Sequence, residues 1–232
     1  MQAACNELGI PEPSQVIGAQ DDQSKQLLAL ANREGKDFSC LANGQGGWTN
    51  LHKEYTFTTV NGTADYALPS DLEYFINRTF WDGAYLWELL GPISAQEKQL
   101  LRYGVVANGP RRKFYIRVGR MYLDPVPEDA SLIAYDYFSN AWCTSSGGTD
   151  QTKWTADTDL YKLDEDCFIQ GIKWRFLRSK GLDYTQEKAD YETDTSRVMA
   201  RDGAERDLPL IGGCYGSRFL NDDNIPETNY GQ

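Results

Sequence analysis

Histidine is almost absent from this sequence: His52 is the only one in 232 residues. Acid–base or metal chemistry built on imidazole therefore has a single candidate, with no cysteine or second histidine beside it. It stands just before a stretch of strand period and reads as a surface or loop residue. The five cysteines, Cys5, Cys40, Cys143, Cys167 and Cys214, are odd in number, widely spaced and contain no C-x-x-C pair. That spacing points away from a zinc ribbon or disulfide framework and toward free thiols in a reducing cytoplasm. No apolar run is long enough to span a bilayer, and the first residues carry neither a basic nor an apolar leader pattern, so no membrane association is expected.

Positive charge is also scarce. Lys and Arg number 23 against 34 Asp and Glu, a net charge of -11, and basic runs are as short as Arg111-Arg112-Lys113. Binding to a phosphate backbone needs cations that replace counterions, so this balance weighs against wrapping nucleic acid. An acidic wall past which DNA slides without sticking is compatible with it. Apolar residues make up 41% and aromatic residues 12%, enough for a sizeable core.

The chain reads as two helical ends around a β-rich middle. Gln2–Leu8 has the form of helical turns stopped by Gly9 and then Pro11 and Pro13. From Asp21 to Leu41, Leu27, Leu28, Ala31, Phe38 and Leu41 fall at helical spacing, with Asp21 and Asp22 at the positive end of the helix dipole. The period then shortens. Tyr55, Phe57 and Thr59 alternate with polar residues, Asn61-Gly62 suits a type I′ turn, and Tyr66 and Leu68 follow, which predicts a hairpin. A second hairpin is expected around Asp82-Gly83, between Phe80-Trp81 and Tyr85-Trp87. Ser94 three residues before Glu97 forms a capping box and predicts a short helix to Tyr103. Strands are expected over Lys113–Val118, Arg120–Leu123 and Leu132–Phe138, and a loop from Cys143 to Gln151.

After residue 150 the helical period returns. Asp164–Lys180 has three acids in its first turn, basic residues in its last, and Gly181 as a stop. A largely polar helix follows over Tyr184–Arg201, suited to a surface or to a neighbouring subunit, with Tyr184, Tyr191 and Val198 as its candidate interface residues. From Gly203 to Gln232 there is no period, but Leu208, Leu210, Ile211, Tyr215, Phe219 and Leu220 recur singly. Such a segment is either disordered or folds on another chain. The fold class is α+β: helices from both ends, an inserted antiparallel sandwich- or barrel-like domain, and an extended tail.

Catalytic constellations are not evident. The acids Asp157, Asp159, Asp164, Glu165 and Asp166 lack the ligand spacing, glycine and final Glu of a calcium loop, and three of them belong to a helix start. Gly212, Gly213 and Gly216 are followed by no Lys-Ser/Thr pair and no helix, unlike a phosphate loop. The sequons at Asn61 and Asn77 carry no weight without secretion. The insert's aromatic residues, Tyr55, Phe57, Tyr66, Phe80, Trp81, Tyr85 and Trp87, are expected to pack as a core, with a sugar-binding face as the alternative. No catalytic residue, metal or cofactor is assigned.

Several segments together resemble the head-to-tail adaptor (connector) proteins of tailed bacteriophages, related in plan to the podophage tail tubular protein A. They are Ala-Cys-Asn-Glu-Leu-Gly-Ile-Pro-Glu-Pro near the start, Tyr66-Ala67-Leu68-Pro69-Ser70-Asp71, Gly91-Pro92-Ile93-Ser94, and Leu123-Asp124-Pro125-Val126-Pro127. Tyr135-Asp136-Tyr137 with Ser139, Asn140 and Trp142, then Thr155–Asp159, Lys173-Trp174-Arg175 and Lys180–Tyr184 complete the set. The resemblance spans about residues 3–202 and includes no motif in 207–232. It implies a helical, ring-forming domain from 1–50 and 151–202, an inserted domain at 51–150 and a tail at 203–232.

It also implies a virion protein of the head–tail junction, assembled in the host cytoplasm. Twelve copies would form a ring docked on the portal and meet a tail or nozzle protein, while genomic DNA passes without specific binding. The tail would then reach the portal through its apolar residues. A baseplate or sugar-binding protein and, further off, a carboxylate-dependent hydrolase are the alternatives.

Overall fold

The computed structural model describes residues 1–41, 47–104 and 111–202. The candidate portal-binding residues Leu208, Leu210, Ile211, Tyr215, Phe219 and Leu220, together with Cys214, lie outside the described residues. The order of elements is α1 (Gln2–Leu8), α2 (Asp22–Ser39), β1 (His52–Thr58), β2 (Asp65–Ala67), β3 (Leu72–Phe75), β4 (Trp81–Asp82) and β5 (Trp87–Glu88). Next come α3 (Ala95–Tyr103), β6 (Lys113–Arg117), β7 (Arg120–Asp124), β8 (Leu132–Ser139), β9 (Cys143–Thr144), β10 (Asp150–Gln151), β11 (Leu160–Tyr161), α4 (Glu165–Ser179) and α5 (Thr185–Arg201). The fold is α+β, as expected.

The helix ends follow local chemistry. Asp21 caps α2 by accepting the Ser24 N–H at 2.8 Å, and Asp164 caps α4 by accepting that of Cys167 at 2.9 Å. Gly9, at φ +65°, supplies the left-handed stop of α1. Helix α4 is the hub, with α1, α2 and α5 packed around it. Its buried residues, Cys167, Phe168, Ile172, Trp174 and Phe176, accordingly spread over more than one face. Two apolar clusters result. In one, Leu27 and Ala31 of α2 meet Phe168, Ile172 and Phe176. In the other, Phe38, Trp48, Trp174 and Tyr191 meet Leu51 and Phe138, so the strand part is rooted in the helices.

The strands form a sandwich. One sheet runs β1-β8-β4-β5, with β3 also on β8; the other runs β2-β7-β6; a small ribbon, β10-β9-β11, stands beside them. The pairs are antiparallel, and β1 aligns with β8 from His52↔Phe138 to Thr58↔Leu132. The inner faces share a cluster of Phe80, Phe114, Met121, Leu123, Ile133, Tyr135 and Tyr137. Phe80 stacks on Phe114 and on Tyr135 with centroids 4.3 and 4.7 Å apart, tying sheet to sheet.

Two expectations need correction. The turn at Asn61-Gly62 exists, with Gly62 at φ +76°, but β1 and β2 do not pair. They enter different sheets, β1 on β8 and β2 on β7. The segment between them is held by the β7–β8 connection: Thr59 N–H donates to Ser131 O and Gly62 N–H to Pro127 O. These acceptors lie far along the chain, beyond what turn chemistry at 61–62 can specify. The stretch 143–151 is a short hairpin of β9 and β10 rather than a plain loop. Two-residue strands are too short to leave a period.

Candidate functional site

Three polar networks brace the helices and the strand part. The first ties the helices together. Glu34 follows Leu27 and Ala31 on the inward stripe of α2 and is fully buried. Its carboxylate takes the Arg175 Nε–H from α4 and the Tyr191 O–H, at 2.7 Å, from α5. Arg175 also donates to Asp37 at 2.9 Å. Gly171 makes room for this carboxylate, since a Cβ there would lie 2.2 Å from Glu34 Cδ. Burial pushes the Glu34 carboxyl above its ordinary range, with Arg175 and Tyr191 opposing the shift.

The second network lies beneath the β4–β5 hairpin. Asp82, buried, accepts from Arg112 Nη1 at 2.7 Å, from the Ser131 hydroxyl, and from the Ala84 N–H at 3.0 Å. Arg112 reaches onward to Asp129, and its guanidinium lies under the Tyr85 ring. The third network sits where strands meet helices. Lys53 is shared by Asp71 and Asp150, and Lys162 also reaches Asp150. Burial raises the Asp71 carboxyl, but hydrogen bonds from Lys53, Ser139 and Tyr137 outweigh it and hold the group below its ordinary value. The Tyr137 hydroxyl is pushed up to about 12 by burial and by Asp71.

The interface residues expected on α5 face inward. Tyr191 is buried, with its ring 6.1 Å from that of Trp174, and Tyr184 and Val198 pack against the same cluster. They serve this chain's own core, which leaves the opposite face of α5, with Ala189, Thr193 and Ser196, exposed. The insert's aromatic residues divide. Tyr55, Phe57, Tyr66 and Phe80 join the core as expected, whereas Trp81, Tyr85 and Trp87 are exposed. Trp81 pairs with Glu88 and Trp87 with Asp82, so strand alternation directs the two tryptophans to opposite sides of the ribbon. A flat two-tryptophan platform for a sugar is therefore not formed.

A cleft of about 420 Å³ between α1 and α4 includes Val16, Leu28, Trp154, Tyr161 and Phe168 in its walls, together with Asp157, Asp159 and Glu165. Asp157 accepts the N–H groups of Val16 and Ile17 and so pins the loop before α2. Burial raises the Asp159 carboxyl, but the N–H groups of Thr155 and Ala156 more than offset this and leave it below its ordinary range. A carboxylate hydrolase needs the opposite shift in one of its acids. Burial lifts the Cys167 and Cys143 thiols to about 12 and about 11, which leaves them protonated at neutral pH. Among the described residues no group of His, Cys, Asp and Glu is arranged to hold a metal ion, and no helix is long and apolar enough to cross a membrane.

A family model described as SU10 adaptor protein matches residues 2–210. The chain belongs to the SU10 adaptor protein family. No curated protein matches it. Membership in the SU10 adaptor family makes the chain a bacteriophage adaptor, and the three networks are then the internal bracing of a structural part. The match runs past α5 to take in Leu208 and Leu210, while Ile211, Tyr215, Phe219 and Leu220 lie beyond it. Of the three networks only Glu34 left a sequence signal, a carboxylate in phase with Leu27, Ala31 and Phe38. Asp82 and Arg112 lie 30 positions apart in irregular context and gave none.

Proposed function

We propose that the chain is the head-to-tail adaptor of a tailed bacteriophage, working as a closed ring of identical copies, twelve in number. The ring docks on the portal, meets a tail or nozzle protein on its other side, and continues the DNA channel at the head–tail junction of the virion. The observation that carries this reading is the family match over residues 2–210. The net charge of -11 per copy supports it, because a lumen of like charge lets DNA slide without sticking. Helix α5 contributes to the subunit contact through its outward face, its inward residues being committed to Glu34 and Trp174.

The segment 203–232 supplies the portal contact through Leu208, Leu210, Ile211, Tyr215, Phe219 and Leu220. Stopping the chain after Arg206 tests this. The shortened protein loses binding to the cognate portal by about 100-fold or more, the loss expected for several apolar anchors, and circular dichroism verifies that it folds. Equal portal binding by the two chains, measured by co-sedimentation, overturns the assignment of the tail.

A further inference from the structure

The two outer faces of the sandwich differ in charge, and each leaves apolar side chains exposed. On the outer face of the β1-β8-β4-β5 sheet, register and alternation bring together Glu54, Thr56, Ala134, Trp81 and Glu88, with Asp136 and Leu132 on either side along β8. Trp81 is 45% and Leu132 52% exposed. Glu54 and Glu88 have no ion-pair partner among the described residues, and Asp136 has only His52 at 3.6 Å.

The other sheet has the opposite balance. Its outer face carries Lys113, Tyr115 and Arg117 of β6 beside Arg120, Tyr122 and Asp124 of β7, with Asp65 of β2 next to Tyr122, and α3 reaches it through Glu97 and Lys98. Lys113 is paired with Glu97 and Arg120 with Asp65. Lys98, Arg102 and Arg117 have no carboxylate partner among the described residues, and Lys98 sits 4.1 Å above the Tyr115 ring. With α3 the face holds the cations Lys98, Arg102, Lys113, Arg117 and Arg120 against the acids Asp65, Glu97 and Asp124, a positive balance on a chain of net charge -11.

Helix α3 is the second observation. None of its nine residues is buried, and Leu100 and Tyr103 are 54% and 74% exposed. A nine-residue helix is marginal in water without a packing partner, and among the described residues this one is held by its Ser94 cap, Glu97–Lys113 and Lys98–Tyr115. Its apolar side, Leu100 with Tyr103, stands open to a cover from another molecule.

We propose that the cover is a second copy of this chain. The acidic face around Trp81 and Leu132 receives the basic face of the next copy, with Leu100 and Tyr103 of that copy's α3 against the apolar residues. Because the two faces lie on opposite sides of one sandwich, the contact is head-to-tail, the kind that closes a ring when the rotation per copy is right. Like-charge repulsion on reversing either face is strong, and restoring opposite signs relieves it. The interface rests on the ring reading above.

Two variants test it: Lys98→Glu with Arg102→Glu, and Glu54→Lys with Glu88→Lys. All four side chains are at least partly exposed, and circular dichroism and thermal melting verify that each variant folds. Native mass measurement, with and without the cognate portal, follows assembly. Each variant alone is expected to self-associate at least about 100-fold more weakly than the natural chain, and an equimolar mixture to assemble again with the two alternating. Either variant assembling like the natural chain, or a mixture of two folded variants that stays apart, overturns the interface. Rings that form in both variants as in the natural chain remove this contact and leave the ring. A natural chain that stays monomeric even with portal removes both.

Discussion

Arg175→Met is expected to destabilise the protein by about 3–5 kcal/mol, because it leaves the Glu34 carboxylate buried without its cation. Glu34 is fully buried and Arg175 nearly so, so solvent screening does little to soften the loss. Among the described residues the Tyr191 hydroxyl is then the one donor left on the carboxylate. The effect carries a pH signature. Burial already raises the folded carboxyl above its ordinary 4.5, and removing Arg175 raises it further. A group whose folded pKa exceeds its unfolded value adds stability as pH falls through the folded value and loses it as pH rises. The deficit of Arg175→Met relative to the natural chain should therefore shrink from pH 7.5 toward pH 5. Adding Glu34→Gln should recover part of it at pH 7.5. Urea denaturation at the two pH values decides: a deficit under 1 kcal/mol, or one that grows in acid, contradicts the reading of this network.

Asp82→Ala is the second large effect, about 3–4 kcal/mol. It strands Arg112, which is 9% exposed, and removes the acceptor of the Ser131 hydroxyl and the Ala84 N–H together. Asp129, the remaining partner, is on the surface and offers a screened contact. The loss should be visible locally as well. Amide exchange at Gly83, which donates to Leu132 O, and at Leu89, which donates to Phe80 O, should accelerate more than exchange within α4. The Glu34 and Asp82 networks share no residue, so the two losses should add within about 0.5 kcal/mol in the double variant. Equal acceleration of α4 and the hairpin would mean that Asp82 braces the whole molecule rather than the sandwich.

What could be read from the sequence was what is decided within a few residues. Asp21, Ser94 and Asp164 all cap the helices expected of them, at 2.8 to 3.1 Å. Only half of the capping box forms, because Glu97 turns to Lys113 instead of back to the Ser94 N–H. Gly9, Gly62 and Gly181 take the left-handed backbone that their positions called for. What depends on distant partners was hidden. Strand β1 pairs with a segment about 80 positions on, and nothing at Asn61-Gly62 distinguishes a true hairpin from a chain crossing between sheets. The inward orientation of Tyr191 follows from Glu34, 157 positions away. Polarity suggested that α5 was a contact helix, but it did not say which side was spent on the core. The exposure of Trp81, Tyr85 and Trp87 was misjudged for a similar reason, since composition favours burial and only the register shows the ribbon lying at the rim of the sandwich.

The ring itself is the central claim, and native mass spectrometry of the purified chain, alone and mixed with its cognate portal, tests it most directly. A closed ring of twelve copies at 26.2 kDa each has a mass of about 314 kDa, and a single such species is the predicted result, either free or bound to the portal. A chain that remains at 26.2 kDa under both conditions, or that forms open assemblies without a fixed copy number, would contradict it.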